Sequence, residues 1–293
     1  MWLRLLRVHH WSKNVLIIFG AILAILNQNV FNLDLLITIL FLTLGICFIS
    51  SGNYVLNDIS DRAGDRLHPL KKNRVIASSA ISINDSYMYM VLFWGLGFLL
   101  IIFFVRDLMG FLGGLAVLLN GIMYNVRPIR LKDVVYVDVF VESVNSVVRF
   151  LVGWLIVIRE IPSFTLMMFV FLYTAVLMFS KRLAELSYLK EKKAVQYRGV
   201  FNYYSIVILT KIVILSIVLT AISLFLLVEK SRLAWIMVPL VTLQLLWYYY
   251  LSRKGDLSVQ KPVYIFRHKL LFVYSLIVFF IGAILVLKWM GLP

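Results

Sequence analysis

Residues 35–69 read LLITILFLTLGICFISSGNYVLNDISDRAGDRLHP. The first part, Leu35–Val55, holds no charged residue. It is long enough to cross a bilayer, which takes about 20 largely apolar residues in a helix. Asp58, Asp61 and Asp65 follow before the chain meets Pro69. An apolar span that runs directly into acids decides the fold class and locates the chemistry.

Working outward, eight more stretches meet the same criterion. They lie near Asn14–Val30, Tyr87–Val105, Leu108–Asn125, Val134–Ile158, Ser163–Ser180, Ser205–Val228, Leu233–Leu251 and Leu270–Lys288. Short links alternate with longer polar loops, and no soluble domain is visible. The composition agrees. The chain has 293 residues, of which 62% are hydrophobic and 15% charged, against about 25% charged in soluble domains. This excludes a water-soluble enzyme, a disordered tail and a collagen-like fibre. A single cysteine, Cys47, excludes an intramolecular disulfide framework and a multi-cysteine metal site. The expected fold is all-α: a polytopic membrane protein of about nine transmembrane helices, one domain over 1–293, either alone or as a homo-oligomer.

The net charge of +15 would suggest nucleic acid in a soluble chain. Its distribution argues otherwise. Of 29 Lys and Arg, 22 fall before the first span and in the loops after the second, fourth, sixth and eighth. Five fall on the other side, and Arg149 and Lys211 sit within spans. By the positive-inside rule the N-terminus and the long loops face the cytoplasm, and nucleic acid is not expected as a partner. The N-terminal apolar run lacks a small-x-small cleavage site and reads as a retained first span.

If the second helix continues towards Pro69, Asn53, Asn57, Asp61 and Asp65 recur every four residues and share one face. Carboxylates one turn apart repel each other, and a cation between them resolves the repulsion. Oxygen donors without cysteine suit Mg²⁺, which keeps waters and takes further ligands from substrate phosphates. Asp58 stands beside this row, and His68, Lys71, Lys72 and Arg74 follow as donors for phosphate oxygens. The alternative is a solvated loop whose acids pair with the neighbouring basic residues.

A second polar stripe runs through helix five. Asp138, Glu142, Asn145 and Arg149 fall within roughly 60° of one another. Ionisable groups inside a span are costly unless they meet a partner or a water-filled cavity. The stripe is either a site or an internal ion-pair cluster of Arg149 with Asp138 or Glu142. Lys132 and Asp133 begin this helix at the cytoplasmic rim, and Tyr124 ends the span before it. At the end of helix six, Lys181, Glu185 and Tyr188 share a face beside Arg182. The N-terminal His9-His10-Trp11-Ser12-Lys13-Asn14 is a basic-aromatic segment before the first span.

These motifs resemble the UbiA superfamily of intramembrane prenyltransferases, most of all its decaprenyl-phosphate phosphoribosyltransferase branch. The resemblance rests on Asn57-Asp58-x-x-Asp61-Arg62-x-x-Asp65-Arg66-x-His68-Pro69-x-Lys71-Lys72-x-Arg74, on Trp11-x-Lys13-Asn14, on Asp138 with Arg149, and on Lys181-Arg182-x-x-Glu185. It extends from residue 9 to about 205. Val75 and Val8 stand where that branch has proline, and Glu142 and Asn145 are extra polarity. The second Asp-rich DxxxD of the quinone-type enzymes is missing after helix six, which favours the phosphoribosyl branch.

The resemblance implies Mg²⁺ held by Asn57, Asp61 and Asp65, with phosphoribosyl diphosphate as donor and a polyprenyl phosphate lipid as acceptor. It places the enzyme in a bacterial-type plasma membrane with its active face cytoplasmic, making precursors of cell-wall arabinan type. Asp61, Asp65, Asp138 and Arg149 would be catalytic. Lys13, Asn57, Asp58, His68, Lys71, Arg74, Tyr124, Lys132, Glu142, Lys181, Arg182, Glu185 and Tyr188 would contact substrate. The rivals are an isoprenyl diphosphate transferase, a transporter and a scaffold whose charges serve topology alone.

Overall fold

The computed structural model describes residues 2–67, 71–189, 199–229, 231–260 and 268–289. Among these residues there are helices and no strands, and nine helices have 14 residues or more. They are α1 (Val15–Gln28), α2 (Leu33–Leu67), α3 (Ile83–Leu100, closing in a π-helical turn Ile101–Val105), α4 (Leu108–Asn125), α5 (Val137–Leu155), α6 (Phe164–Leu189), α7 (Ile206–Val228), α8 (Met237–Arg253) and α9 (Lys269–Trp289). Among the described residues, seven helices are long and apolar enough to cross a membrane by length and composition. Helix α5 is not among them, because Asp138, Glu142 and Arg149 interrupt its apolar character. Helix α6 runs to Leu189, past the end of the apolar span at Ser180, so Lys181, Arg182, Glu185 and Tyr188 are helical, as their shared face requires.

The chain divides into two compact units, one formed by Met1–Ile161 and the other starting at Pro162. In the first, α2 packs against α3 and α4, and α5 packs against α1 and α4. Ile17, Leu42, Ile46, Ile49, Ile101, Val117 and Val152 form its apolar centre. Helices α1 and α5 touch backbone to backbone. A Cβ on Gly20 would lie 2.1 Å from the Phe150 carbonyl oxygen, and one on Gly153 only 1.8 Å from that of Ile17. Small residues at helix crossings permit this approach where apolar burial alone gives little drive between helices. It brings the polar stripe of α5 to the N-terminal segment.

Helix α2 is 35 residues long, about 52 Å at 1.5 Å per residue. Its last turns therefore project beyond any bilayer core. The loop that follows is held against it: Val75, Ile76 and Ile81 are buried with Val55, Leu56, Tyr89, Met90 and Phe93. Ser82 ends the loop and caps α3, its hydroxyl accepting from the Asp85 N–H at 3.0 Å. In the second unit α6 packs against α7 and α8, and α8 against α7 and α9. The core there includes Val176, Val213, Ile217, Leu245 and Val278.

Candidate functional site

The continuous helix α2 does what the four-residue spacing predicts. Asn57, Asp61 and Asp65 line one side of its last turns, with Asp58 adjacent. Asn53, the first residue of that row, serves structure: its amide donates to the Val117 carbonyl at 2.8 Å and accepts from the Trp94 indole at 3.2 Å. Gly121 makes room for it, since a Cβ there would lie 2.2 Å from the Asn53 amide.

Every carboxylate of the row is paired. Asp58 is buried and receives Arg7 (2.6 Å to Oδ1) and Arg74 (3.0 Å). Arg74 also reaches Asp65 at 2.6 Å, so one guanidinium bridges two acids that lie two turns apart. Asp61 receives Lys132 at 2.7 Å and Arg130 at 3.1 Å. Lys132 is 2% exposed. Its ammonium also meets Asn125 Oδ1 at 2.9 Å and Asn57 Oδ1 at 3.4 Å, and three oxygens around three N–H donors satisfy it. Arg130 additionally contacts Asp133 at 2.6 Å.

Two positive-φ residues aim these cations. Arg7 (φ 49) and Arg130 (φ 33) each precede a short 3-10 turn, Val8–Asn14 and Leu131–Asp133. Sequence reasoning read both arginines only as topology charges. It also missed Asn125, the last residue of α4, whose amide oxygen helps seat Lys132. An asparagine closing an apolar span was the available signal.

The stripe of α5 is also largely buried. Asp138 is fully buried in the first turn and Arg149 is 5% exposed. Glu142 is paired with Lys13 at 3.0 Å. Arg149 donates to Asn14 Oδ1 at 2.7 Å and to the Asn145 carbonyl at 3.0 Å. Asn14 in turn donates to the Cys47 sulfur at 3.1 Å. No carboxylate among the described residues lies within ion-pair distance of Arg149, so the ion-pair alternative does not hold for it. Asn145 Oδ1 is buried without a hydrogen-bond partner.

Lys71 and Tyr124, both half-buried, belong to the first unit as well. His68 lies outside the described residues. In the second unit Arg182 pairs with Glu185 at 2.7 Å along α6, while Tyr188 is exposed.

The donor set of Asn57, Asp61 and Asp65 is all oxygen, which fits a hard divalent ion. As arranged, however, the two carboxylates hold Lys132, Arg130 and Arg74. Among the described residues no three His, Cys, Asp or Glu side chains converge as a metal cluster. Metal and cations therefore compete for the same oxygens, unless an anion draws the cations off.

The profile of the UbiA prenyltransferase family matches residues 14–276. A decaprenyl-phosphate phosphoribosyltransferase of Corynebacterium glutamicum is 34% identical over 85 residues, 29% of this chain and 25% of that protein. The y4nM protein of Sinorhizobium fredii is 39% identical over 87 residues, 30% of this chain and 16% of its own length. The chain thus spans a quarter or less of these two curated relatives. A UbiA homolog from Archaeoglobus fulgidus, solved with DMAPP and Mg²⁺, superposes with a TM-score of 0.71 at 20% identity, covering 98% of this chain and 99% of the other. The likeness of fold, the apolar helices and the family match along most of the sequence agree: this chain is an integral membrane protein and belongs to the UbiA prenyltransferase family.

Proposed function

We propose that the chain transfers a 5-phosphoribosyl group from phosphoribosyl diphosphate to a polyprenyl phosphate. It would act as one domain over 1–293, at the cytoplasmic face of a bacterial-type plasma membrane. The observation that carries this reading is the ring of four cations on the acid row: Arg7, Arg74, Arg130 and Lys132. Guanidinium and ammonium groups at this density suit a polyanion. A donor bearing a diphosphate and a further phosphate employs more of them than an isoprenyl diphosphate does. The partial likeness to a phosphoribosyltransferase supports the same choice.

Asp61 and Asp65, with Asn57, would hold Mg²⁺, which when bound neutralises the leaving diphosphate. Arg74, Arg130 and Lys132 exchange their carboxylate partners for diphosphate oxygens, freeing the acids as the anion arrives. The bond from the sugar C1 to diphosphate breaks with its electron pair leaving on diphosphate. An oxygen of the polyprenyl phosphate bonds to C1. A phosphate monoester is largely ionised at neutral pH, its second pKa being about 6, so no general base is required. Arg149 orients a substrate phosphate, and Asp138, Glu142 and the unpartnered Asn145 Oδ1 accept from ribose hydroxyls. Catalysis is then positioning and charge stabilisation.

The family description favours a second reading, transfer of an isoprenyl group from its diphosphate. Detergent-purified protein incubated with Mg²⁺, ribose-labelled phosphoribosyl diphosphate and a panel of polyprenyl phosphates separates the two. Label in the lipid phase is expected. Transfer from labelled isoprenyl diphosphate alone would reject the phosphoribosyl reading. Asp61→Asn or Asp65→Asn, folded by size exclusion, should lower Mg²⁺-dependent turnover by on the order of 100-fold. Unchanged turnover would remove the metal assignment.

A further inference from the structure

Two arginines of α2 take no part in the acid pairs. Arg62 and Arg66 stand one turn apart and both point their Nη2 groups at a single hydroxyl, Ser79 Oγ, at 3.2 and 2.7 Å. Arg66 also donates through Nε to the Ala77 carbonyl at 3.0 Å. No carboxylate among the described residues lies within ion-pair distance of either guanidinium. The Nε of Arg62 is buried without a hydrogen-bond partner. Like charges four residues apart on a helix repel, and a neutral hydroxyl with two lone pairs cannot compensate them.

Ser79 itself is held at φ 59. This is the left-handed region, where a side chain is disfavoured and glycine costs nothing. The residue nevertheless carries the hydroxyl on which both arginines converge. It is exposed, as are Ser78 and Ala80, so the cluster is open to solvent. The loop bearing it is fixed by the burial of Val75, Ile76 and Ile81, which gives the three groups a constant spacing. Two unneutralised guanidiniums, a hydroxyl able to donate, and a rigid frame form a receptor for a tetrahedral oxyanion.

We propose that Arg62, Arg66 and Ser79 bind a phosphate group at a site separate from the acid row. Its chemistry is that of inorganic phosphate or a phosphate monoester, either in solution or as the headgroup of a membrane lipid. Each guanidinium gives two N–H bonds to phosphate oxygens and the Ser79 hydroxyl gives a fifth contact. The site stands independently of the donor assigned above.

The test uses full-length protein in non-ionic detergent without Mg²⁺ or donor. Inorganic phosphate should raise the thermal midpoint in a saturable way. Arg62→Gln with Arg66→Gln should weaken the phosphate response by tenfold or more, since even one charge-assisted bond is worth about tenfold in affinity. Ser79→Gly, which suits the backbone, should fold as well as wild type and still weaken the response. Native mass spectrometry from phosphatidylcholine vesicles with and without phosphatidic acid provides the lipid arm. Retention of phosphatidic acid that is lost in the double variant assigns the source to lipid. A response to inorganic phosphate alone assigns it to a soluble ligand. If neither response differs between wild type and the arginine or Ser79→Gly variants, the cluster is a loop tether and the proposal is wrong.

Discussion

Two polar regions of the first unit handle charge in opposite ways. At the end of α2, each carboxylate is matched by a cation: Asp58 with Arg7 and Arg74, Asp65 with Arg74, Asp61 with Arg130 and Lys132. On α5, Arg149 is equally buried but is held by amide and carbonyl dipoles alone. Ion pairs can be exchanged for a charged ligand at little net cost, because one counter-charge replaces another. A buried cation held by neutral dipoles keeps its desolvation penalty until an anion reaches it. The first region is thus built for exchange and the second for attraction.

Removing one partner from the exchange region should cost the most. Lys132→Ala removes one cation from Asp61, 29% exposed, and strips Asn125 and Asn57 of that donor. Loss of one member of a buried pair costs about 3–5 kcal/mol. Partial exposure of Asp61 puts the expectation near the lower end, readable by thermal unfolding in detergent. Adding Asp61→Asn to Lys132→Ala should recover part of the loss in a double-mutant cycle. Strict additivity would show the two do not interact.

Gly153→Ala comes next. The added methyl would meet the Ile17 carbonyl at 1.8 Å, so α1 must move away from α5. Overpacking of this kind costs up to about 3 kcal/mol, and it should also separate Asn14 from Arg149. A crystal or cryo-EM structure of the variant with that hydrogen bond intact would contradict the account. Arg149→Met strands no carboxylate and orphans only the Asn14 acceptor. Its stability cost should be about 1–2 kcal/mol, well below that of Lys132→Ala, while affinity for the phosphate-bearing substrates falls. The reverse order of stability would erase the contrast between the regions.

How much of this was legible depends on the range over which each contact acts. The acid row could be read because its residues repeat at a helical period within one element, and helix α2 continues to Leu67 as that period requires. The polar stripe of α5 could be read for the same reason. What could not be read were the partners. Arg7 and Arg130 reach the row from elsewhere in the chain through left-handed turns, 51 and 69 residues away from Asp58 and Asp61. Nothing in a local pattern encodes such a meeting. Helix α6 shows the intermediate case. The shared face of Lys181, Glu185 and Tyr188 was legible from its helical spacing, and the helix continues through it, but the pairing of Arg182 with Glu185 at i, i+3, where helix geometry brings side chains together, was not.

The smallest expected effect lies where α4 begins, and it sharpens the contrast by supplying an ordinary exposed pair. Asp107 accepts from the Met109 and Gly110 N–H groups at 2.8 and 3.1 Å and from Arg159, whose Nη1 lies 3.2 Å away. Burial pulls the Asp107 carboxyl upward, but the hydrogen bonds from Arg159 and the backbone outweigh it and hold the group below the usual carboxylate range. A carboxyl depressed on folding contributes stability that is complete above its ordinary value, about 3.9, and that vanishes as pH falls through the folded value. Asp107→Asn keeps an acceptor for the cap and loses the charge. Its deficit against wild type should begin to shrink as pH falls below about 4 and close only below the lower folded value. Because Arg159 is 59% exposed, the ion-pair part should stay under about 1 kcal/mol. Asp107→Ala loses the cap too and should add a deficit of about 1 kcal/mol that remains at low pH. A deficit for Asp107→Asn that does not change with pH would mean that the cap alone, and not the charge, gives this pair its value.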